Sequence, residues 1–340
     1  MTRNSIRIPF EQMQNVLYKL FIKNGFDEEK ARSLARIHSE STLDGVNSHG
    51  INRVPLFIDY VKKGVVHVDA EAFKVEAFGN IERWDGMLGP GIINAVKCTN
   101  RAIELAKLHG MGLVALRNTN HWMRGGTYGW QAADAACISI LFTNTLPNMP
   151  PWGGKDSRIG NNPFIVSIPR KKEGHVVLDM AMSQFAFGKI QDYKLRGEQL
   201  PYPGGWDEQN EQSTDPDKIL SSERGLPIGY WKGSALSIIL DMLATLLAAG
   251  DSTYKIGMKE FETGISQVYL CIYPEIFSDG NLQEKLLSEI IAYTHDVEPM
   301  QAGERTYYPG ERTVQTRARN LEEGMPVSKE VWQKVMELLA

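Results

Sequence analysis

The distribution of apolar residues divides this 340-residue chain into two helical ends and a middle in which strands alternate with helices. Between residues 75 and 272, short apolar runs such as 112–116 and 164–168 are separated by glycine- and proline-containing turns or by longer helical patterns. Short apolar runs bounded by turn residues are typical of buried strands. The pattern therefore predicts an α/β protein.

The two ends of the chain carry the periodicity of amphipathic helices. Apolar residues from Phe10 to Phe21 recur at three- and four-residue intervals, and residues 9–41 predict two helices. Helical patterns return after residue 281. We expect the ends to pack together, so that residues 1–75 and 281–340 form a helical subdomain and residues 76–280 form an α/β cofactor-binding and catalytic domain.

Composition and charge exclude several classes of protein. Hydrophobic residues make up 42% and charged residues 23% of the chain, and the net charge of −4 argues against a nucleic-acid partner or a membrane partner. Three widely spaced cysteines indicate neither a disulfide framework nor a metal site, and they fit a reducing cytoplasm. The most apolar segment, 235–249, is short for a bilayer span and predicts a buried helix.

The six residues from Ser48 to Arg53 place a hydroxyl, an imidazole and a guanidinium directly before an apolar helix. Ser48 or Asn52 could cap that helix, with Pro55 in its first turn. If the helix begins at about His49, then His49 and Arg53 share one face. An acid/base group beside a carboxylate-binding fork suits a reductase of oxo-acids. The alternative is a solvated helix start with a structural histidine.

A second imidazole, His121, lies in a polar, glycine-rich segment that follows the strand at 112–116. Such segments at the carboxyl ends of strands are where α/β folds place their chemistry, although a lone histidine is also often structural. We expect Trp122, Met123, Arg124 and the long glycine- and proline-rich segment 188–228 to shape the substrate pocket.

Candidate phosphate-binding features are less distinctive. Residues 86–91 form a glycine-rich stretch that is either a loose phosphate loop or a plain turn before a helix, and GxGxxG after a strand and GxxxxGK[ST] are both absent. Lys232 lies at the start of the apolar helix, where it either binds a cofactor pyrophosphate or simply extends into solvent. The Pro-Gly turn at residues 309–312 suits ribose or phosphate. No HExxH or GxSxG supports a metal site or a hydrolase.

Long motifs of the chain resemble the malate/L-lactate dehydrogenase family that lacks a Rossmann domain. The resemblance rests on residues 44–53, 113–118, 120–126, 128–133, 149–153 and 229–234, and it covers nearly the whole chain. It implies a large mixed β-sheet with flanking helices, a helical subdomain built from both chain ends, and an intertwined homodimer. The missing GxGxxG is then expected.

The resemblance also implies an activity and a set of site residues. The implied reaction is NADH-dependent reduction of 2,3-diketo-L-gulonate to 3-dehydro-L-gulonate, with the reverse oxidation and NADPH left open. The histidine matching His49 is the family's proton donor. The residues implied to contact the dinucleotide are His175, Val176, Val177, Leu178, Asp179, Met180, Ala181, Trp231, Lys232, Gly310, Glu311 and Arg312.

Our sequence-based mechanism assigns the proton to His49, the substrate carboxylate to Arg53, and orientation of the carbonyl to His121. Ser48 would bind the substrate or the nicotinamide ribose. A helix start at His49 would lower its pKa and oppose the acid role, so His121 is the alternative acid. Other substrates of the family (malate, L-lactate or ureidoglycolate) and a non-catalytic sugar-acid or nucleotide-binding protein are the competing functions.

Overall fold

The computed structural model describes residues 5–172, 174–277, 279–301 and 303–340. Its helices are α1 (Phe10–Lys23), α2 (Glu28–Leu43), α3 (Val54–Lys62), α4 (Gly91–His109), α5 (Gly126–Asp134), α6 (Phe187–Arg196), α7 (Pro216–Ser222), α8 (Trp231–Ala248), α9 (Thr253–Ile256), α10 (Gly280–His295), α11 (Glu311–Glu323) and α12 (Lys329–Leu339). Its strands are β1 (Ser5–Ile8), β2 (Phe73–Phe78), β3 (Ile81–Asp85), β4 (Met111–Thr119), β5 (Ile138–Thr143), β6 (Phe164–Ile168), β7 (Val176–Met180), β8 (Gly205–Trp206), β9 (Gln212–Ser213), β10 (Ile265–Ile272) and β11 (Met325–Ser328).

Seven strands form one mixed sheet in the order β2-β3-β4-β10-β5-β6-β7. β3 and β4 are parallel and are joined through α4, while the other neighbouring pairs are antiparallel. Successive side chains of β4 point to opposite faces. Val114 and Leu116 pack with α4 and α5, whereas Ala115 packs with α8. Helices thus cover both faces of the central strands, and the α/β fold with a large mixed sheet is confirmed.

The two ends of the chain meet beside this sheet. β1 pairs with β11 in an antiparallel ribbon, with Ile6 opposite Val327. α1 and α12 are in contact, and Leu17 and Val335 belong to the same buried cluster. Pairing of the ends supports a helical subdomain, but the expected bound at residue 75 divides β2, which begins at Phe73 and belongs to the large sheet. Ile92 from the middle of the chain also joins the buried cluster of the two ends.

The Ser48–Arg53 region is not the start of an α-helix, so that prediction is wrong. Residues 47–49 and 51–53 form two separate 3₁₀ turns, and α3 begins only at Val54. Neither turn has a side-chain cap. The break between them lies at Gly50, where a Cβ would be 2.3 Å from the Thr42 hydroxyl oxygen and 2.9 Å from the His38 carbonyl. Contact with α2 therefore requires glycine and interrupts the helix.

Two further segments differ from the sequence-based expectation. The glycine- and proline-rich segment 188–228 is not one long loop over the site, since it contains most of α6, the β8–β9 hairpin and α7. The apolar helix α8 is buried on only one face, through residues such as Leu240 and Ala244 against the sheet. Its other face exposes large apolar side chains: Leu236, Ile239, Met242, Leu243 and Leu246.

α8 is the one helix among the described residues with the length and mean hydropathy of a membrane span, and one third of it is buried. The core helices of soluble proteins meet the same criterion. The feature is therefore weak evidence for a membrane.

His38 is a buried imidazole in α2. Its Nδ1 donates to the Gly50 carbonyl at 3.2 Å, and its ring stacks on Phe21. Burial lowers the pKa of His38 from 6.5 to about 4. Because the unfolded chain takes up this proton near pH 6.5, stability falls as the pH drops from 6.5 towards 4.

We expect His38→Gln to lessen this acid sensitivity. Between pH 7 and pH 5, the wild type should lose about 2 kcal/mol more unfolding free energy than the variant. Urea unfolding at both pH values measures the difference, with His109→Gln, an exposed histidine, as the control. Equal losses in wild type and His38→Gln would contradict the assignment.

Candidate active site

A cavity of about 1320 Å³ brings together segments that are far apart in the sequence. It exceeds the range of about 300–1,000 Å³ that is usual for a small-molecule pocket, so it has room for a substrate and part of a dinucleotide. The predicted site residues that line it are Ser48, His49, Arg53, His121, Val177, Leu178, Asp179, Ala181 and Gly310.

His49 and His121 face each other in this cavity. Their rings are stacked, with centroids 5.8 Å apart and an angle of 23° between the planes. The 3₁₀ turn at residues 47–49 carries one ring, and the segment after β4 carries the other. The fold thus offers two imidazoles to one substrate group.

The hydrogen bond of His49 is compatible with a change of charge. Its Nδ1 lies 3.1 Å from the Ser48 hydroxyl oxygen. A hydroxyl both donates and accepts, so it can partner Nδ1 whether or not that nitrogen carries a proton. The other ring nitrogen, Nε2, remains available to a ligand.

The hydrogen bond of His121 is not compatible with protonation of both ring nitrogens. The backbone N–H of Met123 donates to His121 Nδ1 at 2.9 Å, so this nitrogen is an acceptor and the neutral ring carries its proton on Nε2. Burial lowers the pKa of His121 well below its ordinary value, and the charges of Arg53 and His49 lower it further. His121 is thus a neutral hydrogen-bond donor.

Burial lowers the pKa of His49 to about 4. The carboxylate of Asp179 opposes this shift, whereas the guanidinium groups of Arg53 and Arg124 add to it. The sequence-based prediction had the direction right but the cause wrong, because no α-helix begins at His49 and desolvation is the largest effect.

Asp179 is held in place by a network of charges whose central pair, Arg124 and Asp44, is buried. At the end of β7, its carboxylate accepts the N–H of Gly126 at 2.9 Å and lies 3.7 Å from Arg124 Nε. Arg124, with 6% of its side chain exposed, forms an ion pair with Asp44, which in turn is 2.6 Å from Arg317 Nε. Sequence reasoning missed the role of Asp44, although the motif at residues 44–53 contains it.

Arg53 lies in the cavity wall beside a second carboxylate that the sequence did not single out. Its Nη2 is 3.7 Å from Glu262 Oε2, and the Glu262 side chain is 8% exposed. The N–H of Leu146 donates to Glu262 Oε1 at 3.2 Å. Glu262 belongs to no recognisable motif, so only the three-dimensional structure reveals its proximity to Arg53.

Some of the residues expected to shape the pocket line the cavity, and one does not. Met123 and Arg124 line the cavity, but the expectation for Trp122 is wrong, since its ring is buried in the core against Tyr128 and Tyr269. From the 188–228 segment, Gly188 lies against the site, where a Cβ would be 2.8 Å from that of Ser48.

The glycine-rich stretch 86–91 is a turn before α4. A Cβ at Gly91 would be 2.2 Å from the Asn120 carbonyl and 2.3 Å from that of His121. Gly91 therefore allows the start of α4 to pack closely against the segment that carries His121. The described lining of the cavity includes no residue of this stretch.

Three residues implied to bind the dinucleotide have side chains in contact with other residues of the chain. His175 lies 3.0 Å from Asp134, and Glu311 lies 3.1 Å from His295. Arg312 lies over the Tyr307 ring, with its guanidinium carbon 4.2 Å from the ring centroid.

The remaining implied residues lie outside the described cavity lining: Val176, Met180, Trp231 and Lys232. Lys232 is in the first turn of α8, with its ammonium group 6.0 Å from the Trp231 ring centroid. The described residues contain no group of three His, Cys, Asp or Glu that could hold a metal ion.

Comparison with known proteins identifies the family to which the chain belongs. Residues 8–336 match the family model of malate/L-lactate dehydrogenase. The chain belongs to the malate/L-lactate dehydrogenase family. This is a family of oxidoreductases that use a nicotinamide dinucleotide, and the resemblance inferred from the motifs is confirmed.

Individual relatives cover the chain from end to end. It is 41% identical to the 2,3-diketo-L-gulonate reductase of Escherichia coli over 334 residues, which are 98% of this chain and 100% of that relative. The sulfolactate dehydrogenase of Methanocaldococcus jannaschii is 28% identical with a TM-score of 0.87, covering 98% of this chain and 96% of its own. The malate dehydrogenase of Entamoeba histolytica has a TM-score of 0.93 at 24% identity over 98% and 97%, which shows the shared fold.

Proposed function

We propose that the protein catalyses the reversible, NADH-dependent reduction of 2,3-diketo-L-gulonate to 3-dehydro-L-gulonate. The observation that carries the proposal is the pair of facing imidazoles, His49 and His121, in one cavity with Arg53. The substrate is inferred from the 41% identity to a 2,3-diketo-L-gulonate reductase along its full length.

His49 is the proton donor in this proposal. Its Ser48 partner tolerates both charge states of the ring, and the Asp179 carboxylate favours the imidazolium. A bound substrate carboxylate would add negative charge near the ring and, like Asp179, oppose the lowering of the His49 pKa. In the oxidation direction the same ring, now neutral, accepts the proton.

His121 polarises the carbonyl rather than supplying the proton. Its Nε2–H, fixed by the bond from Met123 to Nδ1, donates to the C2 carbonyl oxygen and then to the developing alkoxide. Giving up that proton would leave an imidazolate, and adding a second would break the bond from Met123. These constraints support His49 over His121 as the acid.

Arg53 binds the C1 carboxylate of the substrate. Its 3.7 Å contact with Glu262 is longer than a hydrogen bond, so the guanidinium retains donors for a ligand. A planar fork of N–H groups matches a carboxylate at two points. Ser48 keeps its proposed contact with the substrate or the ribose through the same hydroxyl that bonds His49.

Backbone contacts at the edge of the sheet support the proposed dinucleotide site. β7 is an edge strand, and the Val177 N–H donates to the Pro309 carbonyl at 2.9 Å. A Cβ at Gly310 would be 3.0 Å from the His175 carbonyl, so backbone lies directly on backbone there. Val177 to Ala181 and Gly310 would hold the dinucleotide. A bound nicotinamide supplies the hydride for C2.

Trp231 and Lys232 remain proposed cofactor contacts, and they adjoin the exposed apolar face of α8. A contiguous apolar face of this kind marks an interface, and we assign it to a homodimer. The three cysteines are free and buried, which suits the proposed cytoplasmic location.

The competing functions differ in substrate or in catalysis. Malate, L-lactate or ureidoglycolate would use the same proton donor and carboxylate clamp. A non-catalytic sugar-acid or nucleotide-binding protein would have no need for two imidazoles of which one can take up a charge and the other cannot.

The test is a screen of NADH and NADPH oxidation with 2,3-diketo-L-gulonate, oxaloacetate, pyruvate and related acids. We expect NADH with 2,3-diketo-L-gulonate to give the largest kcat/KM. A larger value for another acid would replace the proposed substrate, and binding of NADH without any turnover would favour the non-catalytic alternative.

A further inference from the structure

Glu262 is a cavity carboxylate that the proton-transfer scheme does not use. Its side chain is nearly buried, and it lines the same cavity as His49 and Arg53. An ionised carboxylate has about four acceptor positions. Glu262 receives one hydrogen bond, from Leu146, and one loose contact from Arg53. Its remaining acceptor positions are therefore available to a ligand that donates hydrogen bonds.

The environment of Glu262 compensates its charge incompletely. Burial raises the pKa of Glu262, and the Arg53 charge and the Leu146 N–H offset only part of this effect. A buried carboxylate that retains its charge gains from each added donor. Substrate hydroxyl groups are such donors, whereas a second substrate carboxylate adds repulsion.

The chain is fixed on both sides of Glu262, through Phe261 and Thr263. The ring of Phe261 packs edge-to-face on Tyr60 in α3, with centroids 5.5 Å apart. The Thr263 hydroxyl donates to Asn120 Oδ1 at 2.8 Å, next to His121 in the chain. Glu262 is thus held in a defined position relative to the two imidazoles.

We propose that Glu262 selects the tail of the substrate: it accepts hydrogen bonds from the hydroxyl groups of a polyhydroxylated 2-oxo acid and disfavours a 2-oxo acid that ends in a second carboxylate. This inference rests on the proposed reduction of 2-oxo acids at the same site. Arg53 binds the carboxylate that all these acids share, and Glu262, 3.7 Å from Arg53 in the same cavity, distinguishes the substituents that they do not share.

The experiment compares wild type with Glu262→Gln, which preserves size and the Leu146 contact but removes the charge. The kcat/KM values are measured with NADH for 2,3-diketo-L-gulonate, oxaloacetate and pyruvate. We expect the 2,3-diketo-L-gulonate value to fall by about 10–100-fold, mainly through KM, as for loss of a hydrogen bond to a charged group. The ratio of oxaloacetate to pyruvate should rise by about 10-fold.

Two further variants separate charge from position. Glu260→Gln removes the same charge from an exposed residue of the same segment and should change none of the values. Glu262→Asp keeps the charge and should keep the low oxaloacetate-to-pyruvate ratio of the wild type.

An equal change for all three acids in Glu262→Gln would overturn the inference, because the residue would then act only on Arg53. Failure of the proposed function has a different signature: the wild type itself would not reduce 2,3-diketo-L-gulonate. Calorimetric dissociation constants of L-gulonate, malate and lactate with NADH present give the same comparison without turnover. Unchanged relative affinities in Glu262→Gln would again overturn it.

Discussion

Replacing His49 with alanine is expected to lower the rate of hydride transfer by ~10²–10⁴-fold, the usual contribution of a general acid. The cavity would keep Arg53 and His121, so the dissociation constant of the substrate should change far less than the rate. Single-turnover oxidation of NADH, followed by absorbance, measures the chemical step directly.

The pH dependence separates the two histidines. Because burial lowers the His49 pKa, the free enzyme holds this ring mostly neutral at pH 7, and kcat/KM for reduction should rise as the pH falls towards 5. His49→Ala should lose this rise. His121→Ala should keep it, while losing up to about 10³-fold in rate as for removal of a donor to an oxyanion.

Rescue by a small acid provides the control. Added imidazole should restore part of the rate of His49→Ala, since it can occupy the vacated volume and deliver a proton, but it should not restore His121→Ala. Near-normal turnover of His49→Ala, or rescue of His121→Ala alone, would assign the proton to His121 instead.

Replacing Asp44 with alanine is expected to destabilise the fold by about 3–5 kcal/mol. The Asp44 side chain is 3% exposed and pairs with both Arg124 and Arg317. Its removal leaves the buried Arg124 guanidinium without its main counter-ion. The cost comes mostly from this uncompensated charge rather than from the lost attraction.

Urea unfolding at pH 7 measures the effect, and Asp59→Ala provides a matched control. Asp59 forms a 2.7 Å ion pair with Lys63 on the surface of α3, and both side chains are nearly half exposed. An exposed pair of this kind contributes at most about 1 kcal/mol. A loss in Asp44→Ala no larger than that of Asp59→Ala would refute the role of the buried network.

Local sequence patterns predicted the elements of the fold well, because apolar periodicity depends on neighbouring residues. The strand at 164–168 and the hairpin near residue 80 lie where the pattern placed them. The helix expected from His49 failed for a non-local reason, since contact of Gly50 with α2 forces two 3₁₀ turns there.

The residues that complete the site could not be predicted in this way. Asp44 pairs with a residue 80 positions away and another 273 positions away. Glu262 comes from a segment without any motif. The choice of His49 over His121 as proton donor depends on the hydrogen bond from the Met123 N–H to His121. No sequence pattern specifies where that N–H points.

The bond from Met123 to His121 also limits how many protons the site can store. Of the two stacked rings, only His49 can become protonated. The pair of imidazoles therefore holds one transferable proton rather than two. A plot of log kcat/KM for reduction against pH should therefore have a limiting slope of about −1 rather than −2. The hydrogen bond from His121 to the carbonyl would not change with pH. The pH would affect only the protonation of His49.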